Sequence, residues 1–437
     1  MLRFEKDHPM IWLFGEENKD AFYKFKNNIT GGASIVFHRY HEVNKTEITR
    51  PHYNDGEWTY DEKGKTVKKI VGFDANGLYL HSLGEEMPCG KLYFKENDDW
   101  RTIEEQVLCD SFFGFLEVDI SVPKDKWNYF SEMSPIFVNK EYDETICGDY
   151  TQKLLKSLDR KPTKSRKLVV SLQAKKILIK STRLRWMLEH GCIVTKLYGY
   201  IEAKRRRIFK GNSAFGRTGM DKNKHKKVTF CDEVQFNRAK NDFFYYDAEE
   251  YNGAYEVSKR SRKVKQNMTL QIACSVYDDS KLRMLKFYYD CIDKYVDRSD
   301  FQYIEMDTDS AYMAISNNSL EDLIKPEMRE EFEKYKNNWF PRTDTEEHCR
   351  IDKRTPGLFK IEKEGDGMVA LCSKTYCIWT NDNQSKVSSK GVQQKRNSSI
   401  LTKEKYLECL VNKQTTDGVN KGYRYQNQEM KTYEQKK

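Results

Sequence analysis

Glycine and proline are scarce in this sequence. Its 437 residues include 23 Gly and 9 Pro, which is too few for a low-complexity or linker-dominated chain. No internal repeat is visible. The composition therefore predicts a compact fold, and at about 150 residues per domain the length allows about three domains.

Long apolar runs and paired cysteines are also missing. Apolar runs such as 34–37 and 368–371 are far shorter than the ~20 residues of a membrane helix. The first residues include acids where a secretory signal would have an apolar stretch. The eleven cysteines are scattered, and Cys372 and Cys377 make a poor zinc pair across a predicted strand. We therefore expect no membrane segment, and reduced thiols in an intracellular protein.

Positive charge is in excess and is clustered in the middle of the chain. Lys and Arg number 76 against 67 Asp and Glu, for a net charge of +9, and 13% of the residues are aromatic. Twelve Lys and Arg stand against one acid between 153 and 185, ten against one between 204 and 227, and a third cluster spans 258–265. One such cluster taken alone is as consistent with a solvated basic face as with a binding surface. Three clusters with aromatic residues between them favour a channel for a nucleic-acid backbone, so the sequence predicts a nucleic-acid partner.

Strand-like and helix-like segments alternate along the chain. Apolar or alternating runs with β-branched and aromatic residues predict strands at 68–73, 113–121, 168–172 and 301–306. Apolar residues three to four apart predict an amphipathic helix over 281–296, directly before a strand, and a second helix begins near 401. A polar tail follows it. Helices of this kind packed on a sheet indicate an α/β or α+β fold.

The sharpest local feature is the segment 301–316. Two strand-like runs flank Asp-Thr-Asp-Ser at 307–310, which predicts a hairpin with Asp307 and Asp309 at its tip, projecting together as residues i and i+2. Two like charges about 4 Å apart repel by roughly 4 kcal/mol at an effective dielectric constant of 20. Such a pair requires a cation or a raised pKa. A divalent metal is the natural counter-charge, although Asp-x-Asp taken alone is more often a solvated turn.

Four other motifs are weak when taken singly. Asp74 ends a predicted strand in the segment 72–80, and Asn-Ser-x-Phe-Gly at 212–216 follows a basic run. Lys-x-Tyr at 374–376 is predicted to place both side chains on one face of a strand, and Lys-Gly follows at 390–391. Each alone is typical of a turn, a helix end or exposed polar residues on a surface. Their order along the chain is what carries information.

That order resembles the succession of motifs in family B DNA polymerases, in the protein-primed branch of viruses, linear plasmids and animal mobile elements. The resemblance spans nearly the whole chain and implies a right-hand fold. In it, 1–65 is an N-terminal connector, 66–110 and 213–380 form the palm, 111–165 is an insertion that contacts a priming protein, 166–212 is a shortened fingers region and 381–437 is a partial thumb. It also implies a polymerase module alone, without a proofreading exonuclease domain.

The resemblance implies a DNA-directed DNA polymerase that adds deoxynucleotides to a primer 3′-hydroxyl on a primer-template. Asp74 and Asp309 would hold two Mg²⁺ ions, and Asp307 would be an auxiliary carboxylate. Priming by a protein and binding of deoxynucleoside triphosphates are implied as well.

Further residues correspond by motif to positions that contact nucleotide or DNA. The resemblance implies contacts to the incoming nucleotide or nascent pair for Tyr79, Asn212 and Phe215. It implies contacts to template or primer for Gly31, Gly32, Lys374, Tyr376 and Lys390.

The sequence also departs from the family at the fingers. Ile208 stands where the family has a lysine that grips the triphosphate, and the path from 202 to 211 is too short for a long finger helix. The alternative is therefore a truncated, catalytically dead fragment that only binds nucleic acid. A reverse transcriptase is disfavoured because its aspartates are adjacent, and a metal-dependent nuclease does not need the motifs at 212–216 and 374–376.

Overall fold

The computed structural model describes most of the chain. The described residues are 11–146, 152–153, 155–156, 161–207, 218–219, 226–251, 253–261, 268–382, 385–426 and 429–436. Within these ranges, none of the helices combines the length and the apolar character that a membrane crossing needs, and ten cysteines carry free thiols.

The α-helices are numbered in chain order. They are α1 (Lys19–Asn28), α2 (Leu78–Gly84), α3 (Trp100–Leu108), α4 (Ser181–Glu189), α5 (Glu233–Ala239), α6 (Leu270–Lys286), α7 (Arg329–Tyr335), α8 (Glu346–Asp352) and α9 (Lys403–Asn412). A π-helical segment, Phe287–Asp293, continues α6 without a break.

The strands are numbered in the same way. They are β1 (Ser34–Val36), β2 (Tyr40–Glu42), β3 (Glu47–Ile48), β4 (Pro51–Asn54), β5 (Glu57–Tyr60), β6 (Lys65–Thr66), β7 (Lys69–Ala75), β8 (Met87–Cys89), β9 (Lys95–Glu96), β10 (Gly114–Ser121), β11 (Ile136–Asp143), β12 (Lys164–Ser171), β13 (Gln173–Lys180), β14 (Ile193–Glu202), β15 (Lys204–Arg206), β16 (Lys227–Cys231), β17 (Tyr245–Tyr251), β18 (Ala254–Lys259), β19 (Phe301–Asp307), β20 (Ser310–Ile315), β21 (Phe359–Gly365), β22 (Gly367–Cys372), β23 (Thr375–Trp379), β24 (Ser385–Ser388), β25 (Val419–Gln426) and β26 (Glu429–Lys436).

A five-stranded antiparallel sheet forms the centre, in the order β1-β19-β20-β7-β21. Strands β7, β19 and β20 are buried along most of their length, which explains their continuous apolar runs. The π-helical segment packs on this sheet through Phe287, whose ring lies 3.6 Å from that of Phe359 and 5.6 Å from that of Phe73. The predicted α/β class, with helices packed on a sheet, is confirmed.

Helix α6 begins eleven residues before the predicted start at 281. Its middle carries Asp278 and Asp279, which interrupt the apolar periodicity, and both are buried by pairing. The Arg183 guanidinium lies 2.5 Å from Asp278, and the Lys180 ammonium lies 2.6 Å from Asp279. The helix therefore buries an ionic face as well as an apolar one.

The remaining sheets surround this core. Strands β13-β10-β14-β9 form a four-stranded sheet, β11 pairs with β12, and β16-β18-β17 form a three-stranded sheet. Strands β2-β22-β23-β24 form a sheet beside the central one, and the predicted polar tail contains a hairpin of β25 and β26. That hairpin was missed because its strands are mostly polar and contain few apolar residues.

Strands from different predicted subdomains pair with one another. Strand β12 spans the predicted boundary at 165/166 and pairs with β11 of the predicted insertion. Strands β13 and β14, from the predicted shortened fingers, pair with β10. Strand β1, from the predicted connector, joins the central sheet. The division into palm, insertion, fingers and partial thumb stays a prediction.

Candidate active site

A hairpin of the central sheet carries two of the predicted carboxylates. Asp307 pairs with Ser310 at the end of the β19–β20 ladder, which leaves Thr308 and Asp309 as a two-residue turn. Thr308 has a left-handed backbone with φ of 62°, so Asp309 does not follow Asp307 in extended chain. The predicted hairpin is confirmed, but the proximity of its carboxylates arises from the turn and not from strand alternation.

Strand pairing brings Asp74 to the same place. Asp74 is opposite Ser310 in the β7–β20 ladder, and the Ser310 hydroxyl donates to Asp74 Oδ1 at 3.4 Å. The next amide, that of Ala75, donates to the carbonyl of Asp309 at 2.7 Å. The ladder therefore holds Asp74 beside Asp309 at one end of the sheet.

The carboxylates repel one another at this edge. Burial, which is the larger cause, and the charges of Asp74 and Asp307 together raise the pKa of Asp309 to about 6. A carboxyl that resists ionisation in this way is stabilised in its charged form by a nearby cation. The site therefore favours binding of positive charge.

Two lysines lie against the other two carboxylates. Lys360 is opposite Asp74 in the β7–β21 ladder, with its Nζ 3.2 Å from Asp74 Oδ2. The Nζ of Lys374 lies 2.9 Å from Asp307 Oδ1. Both ammonium groups are partly exposed. Sequence reasoning missed Lys360, since no motif marks it and only the β7–β21 pairing places it beside Asp74.

Lys374 does not lie on a strand. It occupies the turn between β22 and β23 with φ of 63°, and its amide donates to Glu305 Oε1 at 3.0 Å. Burial raises the pKa of Glu305 to about 8, and within the described residues its Oε2 has no hydrogen-bond partner. The turn thus docks on β19 and directs the Lys374 side chain to Asp307.

Tyr376 faces a different environment from Lys374. Its ring is buried in strand β23, and its hydroxyl lies 3.1 Å from that of Tyr312. The Tyr312 hydroxyl in turn donates to Glu362 at 2.8 Å and accepts from Lys386 at 3.1 Å. The prediction that Lys374 and Tyr376 share one face of a strand is therefore wrong, because the chain turns between them.

Gly32 and Tyr79 pack against the carboxylate hairpin. A Cβ atom on Gly32 would lie 2.6 Å from the Thr308 side chain and 2.7 Å from the Tyr79 hydroxyl, so only glycine permits this approach. The Tyr79 side chain hydrogen-bonds that of Thr308, and burial raises its pKa above the usual range. Gly31 is exposed, with nothing within 4 Å of its Cβ position. Three segments therefore converge at Thr308.

No family model and no curated protein matches this sequence. Among solved structures, the chain is similar to Phi29 DNA polymerase complexed with primer-template DNA and incoming nucleotide. The TM-score is 0.50 at 11% sequence identity, over 98% of this chain and 63% of that one. The same polymerase with primer-template DNA in the post-translocation state gives a TM-score of 0.46 at 11% identity, over 90% of this chain and 58% of that one.

This chain has the fold of part of Phi29 DNA polymerase. The resemblance to protein-primed family B polymerases that the motifs indicated is thereby confirmed at the level of the fold. The chain spans 63% of the length of that polymerase. At 11% identity the match does not transfer the roles of single residues, which stay predictions.

Of three further residues predicted from this polymerase resemblance, one lies in an exposed turn and two lie outside the described ranges. Lys390 is exposed in the turn after β24, where the Asn420 side chain donates to the carbonyl of Gly391 at 2.7 Å. Asn212 and Phe215 lie outside the described residues.

The carboxylate edge of the Phi29-like fold fits a hard cation in its donor chemistry. Across the described ranges, no group of three or more His, Cys, Asp or Glu side chains is arranged to hold a metal ion. Asp74 and Asp309 do supply carboxylate oxygens, which are the ligands that Mg²⁺ prefers, and the charge of Asp74 contributes to the raised pKa of Asp309. These two residues are therefore the candidates to hold Mg²⁺.

Proposed function

We propose that this chain catalyses template-directed DNA synthesis, adding deoxynucleotides to the 3′-hydroxyl of a primer. The observation that supports this proposal is the placement of Asp309 beside Asp74 on paired strand ends of a Phi29-like fold. Burial and that neighbouring charge raise the pKa of Asp309 to about 6. Primer-template DNA and deoxynucleoside triphosphates are the proposed partners, with a priming protein at 111–165.

The reaction forms one bond and breaks one. The primer 3′-oxygen bonds to the α-phosphorus of the nucleotide, the bond from that phosphorus to the bridging oxygen breaks, and pyrophosphate leaves. The hydroxyl proton passes to solvent. Mg²⁺ held by Asp74 and Asp309 would supply Lewis-acid activation of the hydroxyl and neutralise phosphate charge.

The chain's own residues orient the substrates in this proposal. Lys360 and Lys374 project their partly exposed ammonium groups at the carboxylate edge, where they can bind phosphate oxygens of DNA or nucleotide. Tyr79 is half-buried and hydrogen-bonds Thr308, and in this proposal its ring would exclude a 2′-hydroxyl. Asp307 would hold Lys374 in place.

The second candidate is a nucleic-acid-binding protein without catalytic activity. Ile208 stands at the position of the triphosphate-binding lysine of the family, and this substitution favours the second candidate. Loss of one charge-assisted contact, worth about 1.5 to 3 kcal/mol, would weaken nucleotide binding by roughly ten- to a hundredfold. The basic clusters would still bind DNA.

Primer extension by the wild-type chain decides between these functions, and primer extension by Asp309→Asn tests the assigned site. We expect the wild-type chain to extend a primer with Mg²⁺, Asp309→Asn to lose extension, and both to bind duplex DNA equally, since lysine and arginine make the phosphate contacts. Asp98→Asn, at an exposed aspartate before α3, is the matched control and should extend normally. Binding without extension by the wild type would favour the second candidate, and normal extension by Asp309→Asn would refute the assigned site.

A further inference from the structure

The turn from Thr30 to Ala33 packs against the carboxylate hairpin. It connects α1 to β1, and the carbonyl of Ala33 accepts a hydrogen bond from the amide of Thr308 at 2.6 Å. Gly32 approaches Thr308 and Tyr79 so closely that no side chain would fit. Because Thr308 lies between Asp307 and Asp309, the position of this turn affects both carboxylates.

A buried lysine of α6 hydrogen-bonds to this turn. Lys281 of α6 is 3% exposed, and its Nζ donates to Thr30 Oγ1 at 2.5 Å and to the Thr30 carbonyl at 3.2 Å. Burial lowers the pKa of Lys281 to about 8. The nearest buried acid, Asp278, is already paired with Arg183 at 2.5 Å. The hydrogen bonds of Lys281 are therefore directed to the turn, at the cost of burying an ammonium group.

Helix α6 also contacts the hairpin region through a second residue. Tyr277 lies one helical turn before Lys281, and its ring meets that of Tyr79 edge to face at a centroid distance of 5.8 Å. The Tyr79 side chain is itself hydrogen-bonded to Thr308. One face of the helix therefore supports both segments that touch Thr308.

We propose that Lys281 is a positioning residue for the candidate active site. It holds the turn from Thr30 to Ala33 against Thr308 and so sets where Asp307 and Asp309 stand. The contact chain runs from the Lys281 ammonium to Thr30, from Ala33 to the Thr308 amide, and from there to the two carboxylates. The part of this inference that concerns turnover rests on the proposed function, whereas the part that concerns the hairpin does not.

Amide hydrogen exchange at Thr308 tests the positioning role without any activity. In Lys281→Met, the peptide that contains Thr308 should exchange about tenfold faster, because the turn that accepts its hydrogen bond is no longer held. Lys180→Met is the matched control. It also removes a buried lysine beside α6, but its ammonium donates to Asp279 and to the Glu86 carbonyl and does not reach the turn. Its Thr308 exchange should stay within about twofold of wild type.

A milder variant keeps the test valid if Lys281→Met does not fold. Thr30→Val removes one of the two acceptors and keeps the side-chain shape, so exchange at Thr308 should rise by about threefold, while Thr30→Ser should leave it unchanged. Equal exchange in Lys281→Met and Lys180→Met, or no change in Thr30→Val when Lys281→Met is unfolded, would overturn the proposal.

Steady-state kinetics separates positioning from binding. Misplacement of the carboxylates should lower kcat of Lys281→Met by about tenfold or more, with KM for nucleotide and Kd for primer-template within about twofold, and Lys281→Arg should restore part of kcat. A normal kcat in Lys281→Met would overturn the positioning role. Absence of extension by the wild type would instead refute the proposed function, and the exchange experiment would still decide the role of Lys281.

Discussion

Two hairpin tips meet at the candidate site, and they differ in charge. Each is a two-residue turn with one left-handed residue that is not glycine, namely Thr308 with φ of 62° and Lys374 with φ of 63°. The first turn presents acids and the second a lysine, and they join through the 2.9 Å contact of Lys374 with Asp307. The left-handed residue is the first of the turn at 308–309 and the second of the turn at 373–374. The comparison shows that two different tight turns in two sheets can supply opposite halves of one site.

The two turns are held in their unfavourable conformation by different neighbours. A left-handed backbone costs a residue with a side chain roughly 1 to 2 kcal/mol, and a β-branched residue such as Thr308 is a true outlier there. The Ala33 carbonyl and the close approach of Gly32 hold Thr308, whereas Glu305 holds the amide of Lys374. Strain of this kind, supported by its surroundings, is a common feature of functional sites.

The largest expected effect separates Asp74 from Asp307. Asp74→Asn should reduce single-nucleotide incorporation by roughly a thousandfold, since Asp74 faces Asp309, whereas Asp307→Asn should reduce it by about tenfold because Asp307 pairs with Lys374. Rapid-quench measurement of one incorporation step would give both values. Equal losses would mean that Asp307 has the same role as Asp74, contrary to the geometry.

The salt dependence of DNA binding should reveal the contribution of the basic clusters. If the basic clusters contact six or more phosphates, affinity for primer-template DNA should fall by about a thousandfold between 50 and 200 mM salt. Fluorescence anisotropy across that range measures the slope. A flat dependence would argue against nucleic acid as the partner of these clusters.

Removing the charge from the basic hairpin should have a smaller effect. Lys374→Asn keeps a residue that tolerates a left-handed backbone and removes the ammonium, so primer-template affinity should weaken by about fivefold and the salt slope should fall by about one. The control is Lys353→Asn, at an exposed lysine after α8, which should bind as wild type does. An unchanged slope in Lys374→Asn would place this lysine away from DNA phosphates.

The smallest effect is a pH dependence of stability that arises from Asp309. Its pKa is raised to about 6 in the folded chain, above the usual value of about 3.9 for an unfolded aspartate. Its contribution to the free energy of unfolding is therefore fully present below about 3.9 and is lost as pH rises through about 6.

Denaturant titrations without divalent metal would detect this contribution. The wild type should lose stability relative to Asp309→Asn between pH 4 and pH 7, because the asparagine does not ionise. Added Mg²⁺ should reduce the difference at pH 7, since a cation favours the charged carboxylate. A difference that is independent of pH would contradict the repulsion between Asp74 and Asp309.

The sequence by itself predicted the elements whose signals are local. Apolar runs marked β7, β19 and β20, and Asp-Thr-Asp-Ser between two such runs marked the hairpin at 307–310. The order of the motifs indicated the polymerase fold, and that fold was confirmed. Asp74, Asp307, Asp309 and Gly32 were selected from motifs and do lie together.

Only the tertiary structure decided how these residues face one another. Asp74 and Ser310 are 236 residues apart in the chain, and their contact depends on strand pairing that no local pattern specifies. The same is true of Lys360, which reaches Asp74 across a ladder, and of Lys281, which reaches Thr30 from a buried helix. Lys374 was misplaced on a strand because lysine is not a typical turn residue and no Gly, Pro, Asn or Asp marks the turn at 373–374. Local propensity determines which segments become strands and helices, but the partners of a side chain are determined by packing between segments that are distant in sequence.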